Sequence, residues 1–408
     1  LNKLLIRILL HLQVEFSKDF KIMYILMIAR GYPTEEDPQW GCFEQDQAEA
    51  LCNNGHQVVV LSVDSRFLWK FRKVGITHYS KNGVNYYNSF WFPGVLTRTI
   101  SRKFNVFIKK CQVDKLYKKV EFLYGRPDVV YGQFFFNTDI GVYLQKKYNL
   151  PLVGIEHAGR FNSDRLDSIT KWMATNAYAN ADEIITVSQT LRKRILYHFK
   201  RDSYVIHNLV NNIFFDSVRK VEKTNSFSFV STGSLVYGKG FDLLIEAFSL
   251  INRRNKDIHL VIIGDGVERQ NLQKQIDNLK LSHNIHLVGK KTKGEIVQIL
   301  SDSSVFILPS RSENFSVSIL EGLAVGLPVI ATLCGGVKEC INEKNGLLVP
   351  VENVPALADA MKKMYDTLGE YDSQEIAQDC YNRFSPSVIS DKLVDVFQKA
   401  VEKKKKMS

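Results

Sequence analysis

The chain has 408 residues, 45% of them hydrophobic and 24% charged, the proportions of an ordinary globular protein, which exclude a disordered or fibrous polypeptide. Its formal net charge of +11 is concentrated: from Arg66 to Val120 thirteen basic residues face one acid, Asp114, so this segment carries +12 and the rest of the chain −1. Six cysteines form no Cys-x-x-Cys pair and have no histidine at ligand spacing, which argues against a zinc site or a disulfide framework and for a reducing cytoplasm.

Taken in order, residues 1–22 read as an upstream extension. The apolar run Leu4–Leu12 is interrupted by Arg7 and His11, falls short of the roughly 20 residues that cross a bilayer, and has no small-residue cleavage site after it. The first methionine, Met23, directly precedes an apolar strand, Tyr24–Ala29. A helix near Phe43–Asn54 follows, stopped by Asn54-Gly55, and then a strand at Gln57–Ser62. Further strands are expected at Asp128–Tyr131, Leu152–Ile155, Glu183–Val187 and Tyr204–Ile206, spaced widely enough for crossover helices. After Val210-Asn211-Asn212 the alternation restarts with Phe227–Thr232, His259–Ile263, Ile285–Val288, Val305–Leu308, Pro328–Ala331 and Leu347–Val349. These runs predict an α/β protein of two Rossmann-like domains, at 23–207 and 225–384, joined by a linker at 208–224. A terminal helix with a solvated basic tail is expected over 385–408.

The densest chemistry lies in Pro309-Ser310-Arg311-Ser312-Glu313-Asn314-Phe315-Ser316-Val317, which runs through Glu321-Gly322 to Gly326 and Pro328. A strand feeds a loop and the loop a short helix. In an open parallel sheet that strand end is where ligands bind, and the helix N-terminus near Asn314–Val317 offers unpaired N–H groups to a phosphate. Glu313 on the loop and Glu321 within the helix reach opposite ends of one bound molecule, where carboxylates accept hydrogen bonds from vicinal hydroxyls.

This Glu-x7-Glu spacing, inside a Pro-Ser…Glu-x-Phe…Glu-Gly-x-Ala-x-Gly-x-Pro-Val-Ile frame, closely resembles the donor-site signature of family 4 of the retaining, GT-B-fold glycosyltransferases. Matching segments recur in order over about residues 23–400: Gly233-Ser234-Leu235 with Lys239-Gly240, Ile263-Gly264-Asp265-Gly266, Val288-Gly289, and Asn208-Leu209-Val210-Asn211 at the interdomain turn. The resemblance implies a GT-B architecture with two sheets facing across a cleft. It implies that Glu313 binds the transferred sugar, that Glu321 binds the ribose, and that Lys239 with the N–H groups of Asn314, Phe315 and Ser316 holds the diphosphate. Loops at Gly264, Gly289 and Lys290 would face the base. Gly41, within Trp40-Gly41-Cys42, stands in the family's glycine loop, and His157 matches its strand-end histidine near the reacting carbon. Two departures stand out: Ser234 replaces a common arginine, and His207 and Leu209 replace the usual proline and glycine of the interdomain turn.

Asp-x-Asp, the usual metal-holding motif of metal-dependent transferases, is absent from the sequence, so neither a metal nor a cofactor is expected. The resemblance further implies a retaining transferase moving a sugar from a nucleoside diphosphate, UDP foremost, to a glycan or lipid-linked acceptor in bacterial surface polysaccharide assembly. A non-catalytic nucleotide-sugar binder is the alternative, kept open by Ser234. A phosphorylase of similar architecture needs a longer chain. An NAD enzyme needs a third glycine where Arg269 stands after Gly264-x-Gly266. Phe134-Phe135-Phe136 reads as core or cleft wall. The basic segment 66–120, interleaved with Phe67-Leu68-Trp69 and Phe104, Val106, Phe107 and Ile108, has the composition of a surface that lies on an anionic membrane. The expectation is therefore a cytoplasmic protein, peripheral on the inner face of the membrane. No nucleic-acid motif accompanies the charge.

Overall fold

A computed structural model describes residues 22–33, 40–64, 74–91, 101–218, 227–252 and 257–407. The leader to residue 21, linker residues 219–226, and Arg66, Phe67-Leu68-Trp69, Lys70, Arg72, Lys73 and Arg98 lie outside the described residues.

The first domain runs β1 (Tyr24–Ala29), α1 (Cys42–Asn53), β2 (Gln57–Asp64), β3 (Gly75–Lys81), β4 (Val84–Phe90), α2 (Arg102–Tyr124), β5 (Val129–Gln133), α3 (Phe134–Tyr148), β6 (Leu152–Glu156), α4 (Ser168–Asn180), β7 (Glu183–Thr186), α5 (Gln189–Phe199), β8 (Tyr204–Val205) and α6 (Asn212–Phe215). Its sheet has the order β3-β4-β2-β1-β5-β6-β7-β8. All neighbours are parallel except β3, which pairs antiparallel with β4. All six residues of β1 are buried, as befits an interior strand covered on both faces.

The second domain runs β9 (Phe227–Thr232), α7 (Phe241–Asn252), β10 (Ile258–Ile263), α8 (Arg269–Asn278), β11 (Ile285–Gly289), α9 (Lys293–Ser301), β12 (Val305–Leu308), α10 (Val317–Ala324), β13 (Val329–Thr332), β14 (Gly346–Val349), α11 (Val354–Asp366) and α12 (Ser373–Phe384). Its six strands are all parallel, in the order β11-β10-β9-β12-β13-β14.

Two features depart from the sequence expectation. The β3–β4 hairpin was not expected, although Asn82-Gly83 sits at its tip with φ of 50° and 78°, the pair of positive φ values that a two-residue hairpin turn demands. The second is the course of the terminal segment: the expected helix is α13 (Pro386–Met407), which extends through the lysine run, with Lys403, Lys405 and Lys406 exposed on it. It also returns to the first domain, where Ile389, Leu393 and Phe397 are buried. Phe397 meets the Tyr131 ring at 4.9 Å, and Lys403 Nζ donates to Asp182 O at 2.8 Å.

Candidate active site between the two sheets

Each sheet changes direction at one point, between β1 and β5 in the first and between β9 and β12 in the second, and crevices at the carboxyl ends of such strands are where ligands bind in open α/β sheets. The chain brings the two ends together. Asn314 Nδ2, after β12, donates to His157 O, after β6, at 2.7 Å, and Asn162 Nδ2 donates to Asn314 Oδ1 at 2.9 Å. Thr190 Oγ1 donates to Gly335 O at 2.9 Å. Gly335 itself has φ 54°, and a Cβ there would lie 1.7 Å from Glu313 O, so the close approach of this turn to the Glu313 loop admits only glycine.

On the second-domain side, the loop after β12 delivers Glu313 and then the start of α10. Ser316 caps α10 without accepting from its backbone N–H groups, its hydroxyl being shared with Ser318 Oγ at 2.9 Å. The backbone N–H groups of Asn314, Phe315 and Ser316 have no acceptor among the described residues. Orphan donors at a helix start are an anion site, strengthened by the dipole. Glu313 Oε1 accepts from Ser310 Oγ at 2.8 Å and forms an ion pair with Lys239. Two residues given separate tasks by the motif thus neutralise each other in the unliganded protein. The Asn314 and Phe315 side chains face away from the anion site: Phe315 is buried and packs on His207, ring centroids 4.5 Å apart.

Arg311 is a residue that the sequence reading quoted without a role. Its guanidinium donates to Tyr237 O at 2.7 Å and to both Asp242 oxygens at 2.8 and 2.7 Å, and lies 3.9 Å from the Tyr237 ring centre. Arg311 N also donates to Gly238 O at 2.9 Å. It therefore clamps the turn that carries Lys239. The pair pattern Arg311…Asp242 leaves no local signal in sequence because the partners are 69 positions apart.

Glu321 lies further along α10, half-buried, and its carboxylate has no hydrogen-bond partner among the described residues. Loss of water pushes its carboxyl up to about 8, against the pull of nearby Lys293 and with a push from Asp46. Lys293 heads α9 and pairs across the cleft with Asp46 of α1, which also accepts from Asn211 Nδ2 at 3.0 Å. Lys290, expected toward the base, is exposed; the lysine that reaches the Glu321 region is Lys293. The turns at Gly264 and Gly289 adjoin, Gly264 N donating to Gly289 O at 2.9 Å. Arg269 fills the position of the missing third glycine and donates to Leu287 O at 3.0 Å.

On the first-domain side, His157 follows β6 and is half-buried. Its Nε2 lies 3.1 Å from Gln133 Oε1, while Gln133 Nε2 donates to Gln47 Oε1 at 2.8 Å and Tyr131 Oη to the same atom at 3.0 Å. Gln133 presents its oxygen to Nε2 of the imidazole, and the Asn208 side chain hydrogen-bonds the ring as well. Burial lowers the imidazole to about 4, with Arg30 adding to the effect and Glu44 opposing it, so the ring is neutral at pH 7. Buried Glu156 accepts from Phe135 N at 2.8 Å, His157 N at 2.9 Å, Ala158 N at 2.6 Å and Tyr178 Oη at 2.6 Å, fixing this strand end. Phe134 has φ 65°, a strained value for a bulky residue; its ring stacks on Phe136, carries the Arg30 guanidinium 4.4 Å from its centre, and is tilted against His157 at 5.0 Å. Arg30 is forked onto Glu44 at 2.5 and 3.0 Å. Gly41 starts α1 with φ 74°. His207, in place of the interdomain proline, binds Glu339 Oε2 at 2.9 Å, and Glu339 also accepts from Gln189 N at 3.0 Å.

Comparison with known proteins assigns the chain. The profile of glycosyl transferases group 1 matches residues 213–375 and that of Glycosyltransferase Family 4 matches residues 45–212. An uncharacterized glycosyltransferase from Methanocaldococcus jannaschii is 26% identical over 404 residues, spanning 93% of this chain and 99% of its own; a second from the same organism is 31% identical over 258, spanning 60% and 68%. The chain belongs to the family 4 glycosyltransferases. Among solved structures it is similar to sucrose-phosphate synthase from Thermosynechococcus elongatus, with TM-score 0.73, 17% identity and 92% and 98% of the two chains covered. It is also similar to Anabaena HepE in complex with UDP and glucose, with TM-score 0.71, 17% identity and 92% and 99% covered. The fold of this family 4 member is GT-B, with the cleft described above between its two sheets.

Proposed function

We propose that this glycosyltransferase takes its sugar from a nucleoside diphosphate, with UDP the first candidate, and transfers it with retention of configuration to a hydroxyl of a glycan or lipid-linked acceptor. The observation that carries the reading is the row of acceptor-free N–H groups at Asn314–Ser316 beside Lys239, flanked by carboxylates at Glu313 and Glu321. A positive middle with a carboxylate at each end fits a diphosphate bearing a sugar on one side and a ribose on the other. Similarity to a protein solved with UDP and glucose supports it.

In this reading the diphosphate takes Lys239 from Glu313, which frees the carboxylate for the sugar hydroxyls. Charge that develops on the leaving phosphate falls on preorganised donors; these supply the stabilisation without a bound metal. Neutral His157, held by Gln133 and Gln47, faces the reacting end as a hydrogen-bonding group and not as a cation. Closing of the domains excludes water. Bacterial surface polysaccharide assembly on the cytoplasmic side is the setting we favour, by the family resemblance.

The test is thermal stabilisation by UDP, GDP, ADP and NAD, each with and without EDTA. A ligand at 100 times its Kd adds about 2.7 kcal/mol, and we expect one nucleoside diphosphate to stabilise in both conditions. Stabilisation by NAD alone overturns the reading, and loss of the effect in EDTA overturns the metal-free part of it.

A further inference from the structure

Among the described residues, part of the basic segment is drawn into packing and ion pairs. Val106 is buried, Lys110 pairs with buried Asp139 at 2.9 Å, Lys119 lies over the Tyr87 ring, and Asp114 is shared by Lys147 at 2.8 Å and Lys118 at 3.6 Å. Lys115, Lys118 and Lys119 stay exposed further along α2, and a separate aromatic and basic cluster forms where the helix meets α4. At the start of α2, Phe104 and Phe107 are 48% and 59% exposed, with ring centroids 6.4 Å apart. Lys103 Nζ reaches across to Trp172 of α4, 5.6 Å from the ring centroid, and Trp172 is itself 40% exposed. Arg102 leans 3.9 Å from Asp167, the acid that caps α4, and Lys171 adds a further exposed cation.

Topology fixes where this cluster sits. Strand β4 is parallel to β2, and β6 is parallel to β5 and β7. Helices that follow parallel strands begin at the carboxyl edge of the sheet, so the first turns of α2 and α4 both lie on the side of the sheet where Arg30, Gln133 and His157 face the cleft.

We propose that the cleft-side ends of α2 and α4 form the surface by which the protein rests on an anionic lipid bilayer. Three rings enter the interface while Lys103, Lys171 and Arg102 meet the headgroup charge. This matches the charge of the patch, and it sets the cleft mouth beside the membrane, where a lipid-linked hydroxyl lies at the depth of the headgroups. Only the choice of acceptor rests on the proposed transfer reaction; bilayer binding does not, so the two fail separately.

The far end of the same helix supplies the control. Phe122 is 89% exposed but lies fifteen residues beyond Phe107, about 22 Å along the axis. Co-sedimentation of the full chain at low salt is measured with vesicles of phosphatidylcholine alone and of phosphatidylcholine with an equal part of phosphatidylglycerol. Binding is expected with the anionic vesicles only, and it is expected to fall with salt. The double variant Lys103→Glu/Lys171→Glu should reduce the partition on the order of tenfold or more. Phe104→Ser/Phe107→Ser should do the same, and Phe122→Ser should bind as the parent does. A blue shift of fluorescence on adding vesicles, lost in Trp172→Phe, reads the same contact in protein whose melting curve is unchanged. No retention by anionic vesicles, an equal loss with Phe122→Ser, or a concentration-dependent dimer abolished by Phe104→Ser/Phe107→Ser while vesicle binding persists each overturns the proposal.

Discussion

The two walls of the cleft are built in different ways. On the second-domain wall almost everything comes from one stretch, residues 309–322, with Lys239 brought in by a turn that Arg311 clamps. On the first-domain wall the working groups, Arg30, Gln47, Gln133 and His157, arrive from four separate segments and meet only because β1, β5 and β6 are neighbours. A wall carried by one loop and one helix start is a local property of the chain. A wall carried by a sheet exists only once the sheet has formed.

That contrast predicts different failures. The largest effect is expected from Glu313→Ala, which removes a group proposed to act on the sugar: kcat/KM should fall by roughly 10³-fold with the melting transition retained. Normal turnover in this variant removes the central assignment of the donor wall. His157→Ala should lower kcat on the order of 10²-fold while leaving nucleoside diphosphate affinity unchanged, because its ring lies on Gln133 and Phe134 of the first domain while the proposed diphosphate site is on the second; a matching loss of nucleotide affinity would show that the walls are not separable. Lys239→Ala should weaken UDP binding by about tenfold, near 1.4 kcal/mol, as read by calorimetry. Arg311→Ala, through release of the same turn, should weaken it in the same direction and add a loss of stability that Lys239→Ala does not show.

The smallest effect carries an unusual sign. Glu321 ionises at about 8 in the folded chain against an ordinary 4.5. Between those values the unfolded chain binds fewer protons, so this carboxyl's contribution to stability is full below pH 4.5 and declines as pH rises toward 8. Glu321→Gln should therefore raise the stability of the unliganded protein at pH 8, by about 1 to 3 kcal/mol, and flatten that decline while weakening nucleotide binding. His157 works in reverse: with its imidazole at about 4 against 6.5, its contribution is full above pH 6.5 and declines as pH falls toward 4. Melting temperatures measured from pH 4 to 8 in Glu321→Gln and the parent separate the two.

Legibility in the sequence follows the same division. The strands of the second domain are short apolar runs bounded by turn residues, and β9 and β12 lie where those runs predict. The hairpin at Gly75–Phe90 went unread because Thr77, His78, Asn85 and Asn88 make it polar, although Asn82-Gly83 marked its turn. The role of Lys293 was hidden because a lysine beside a Glu-Ile helix start reads as solvated until Asp46 of the other domain is seen opposite. The place of Glu313 on the loop after β12 was legible, its ion pair with Lys239 was not, since the partners are 74 positions apart.

The path of α13 bears on how the molecule is made. Phe397, Leu393 and Ile389 complete the first domain's core, so the domain that is translated first cannot finish packing until residues near 400 have left the ribosome. Until then Tyr131 and its neighbours lack that cover through the whole synthesis of the second domain, a window in which exposed apolar surface favours aggregation.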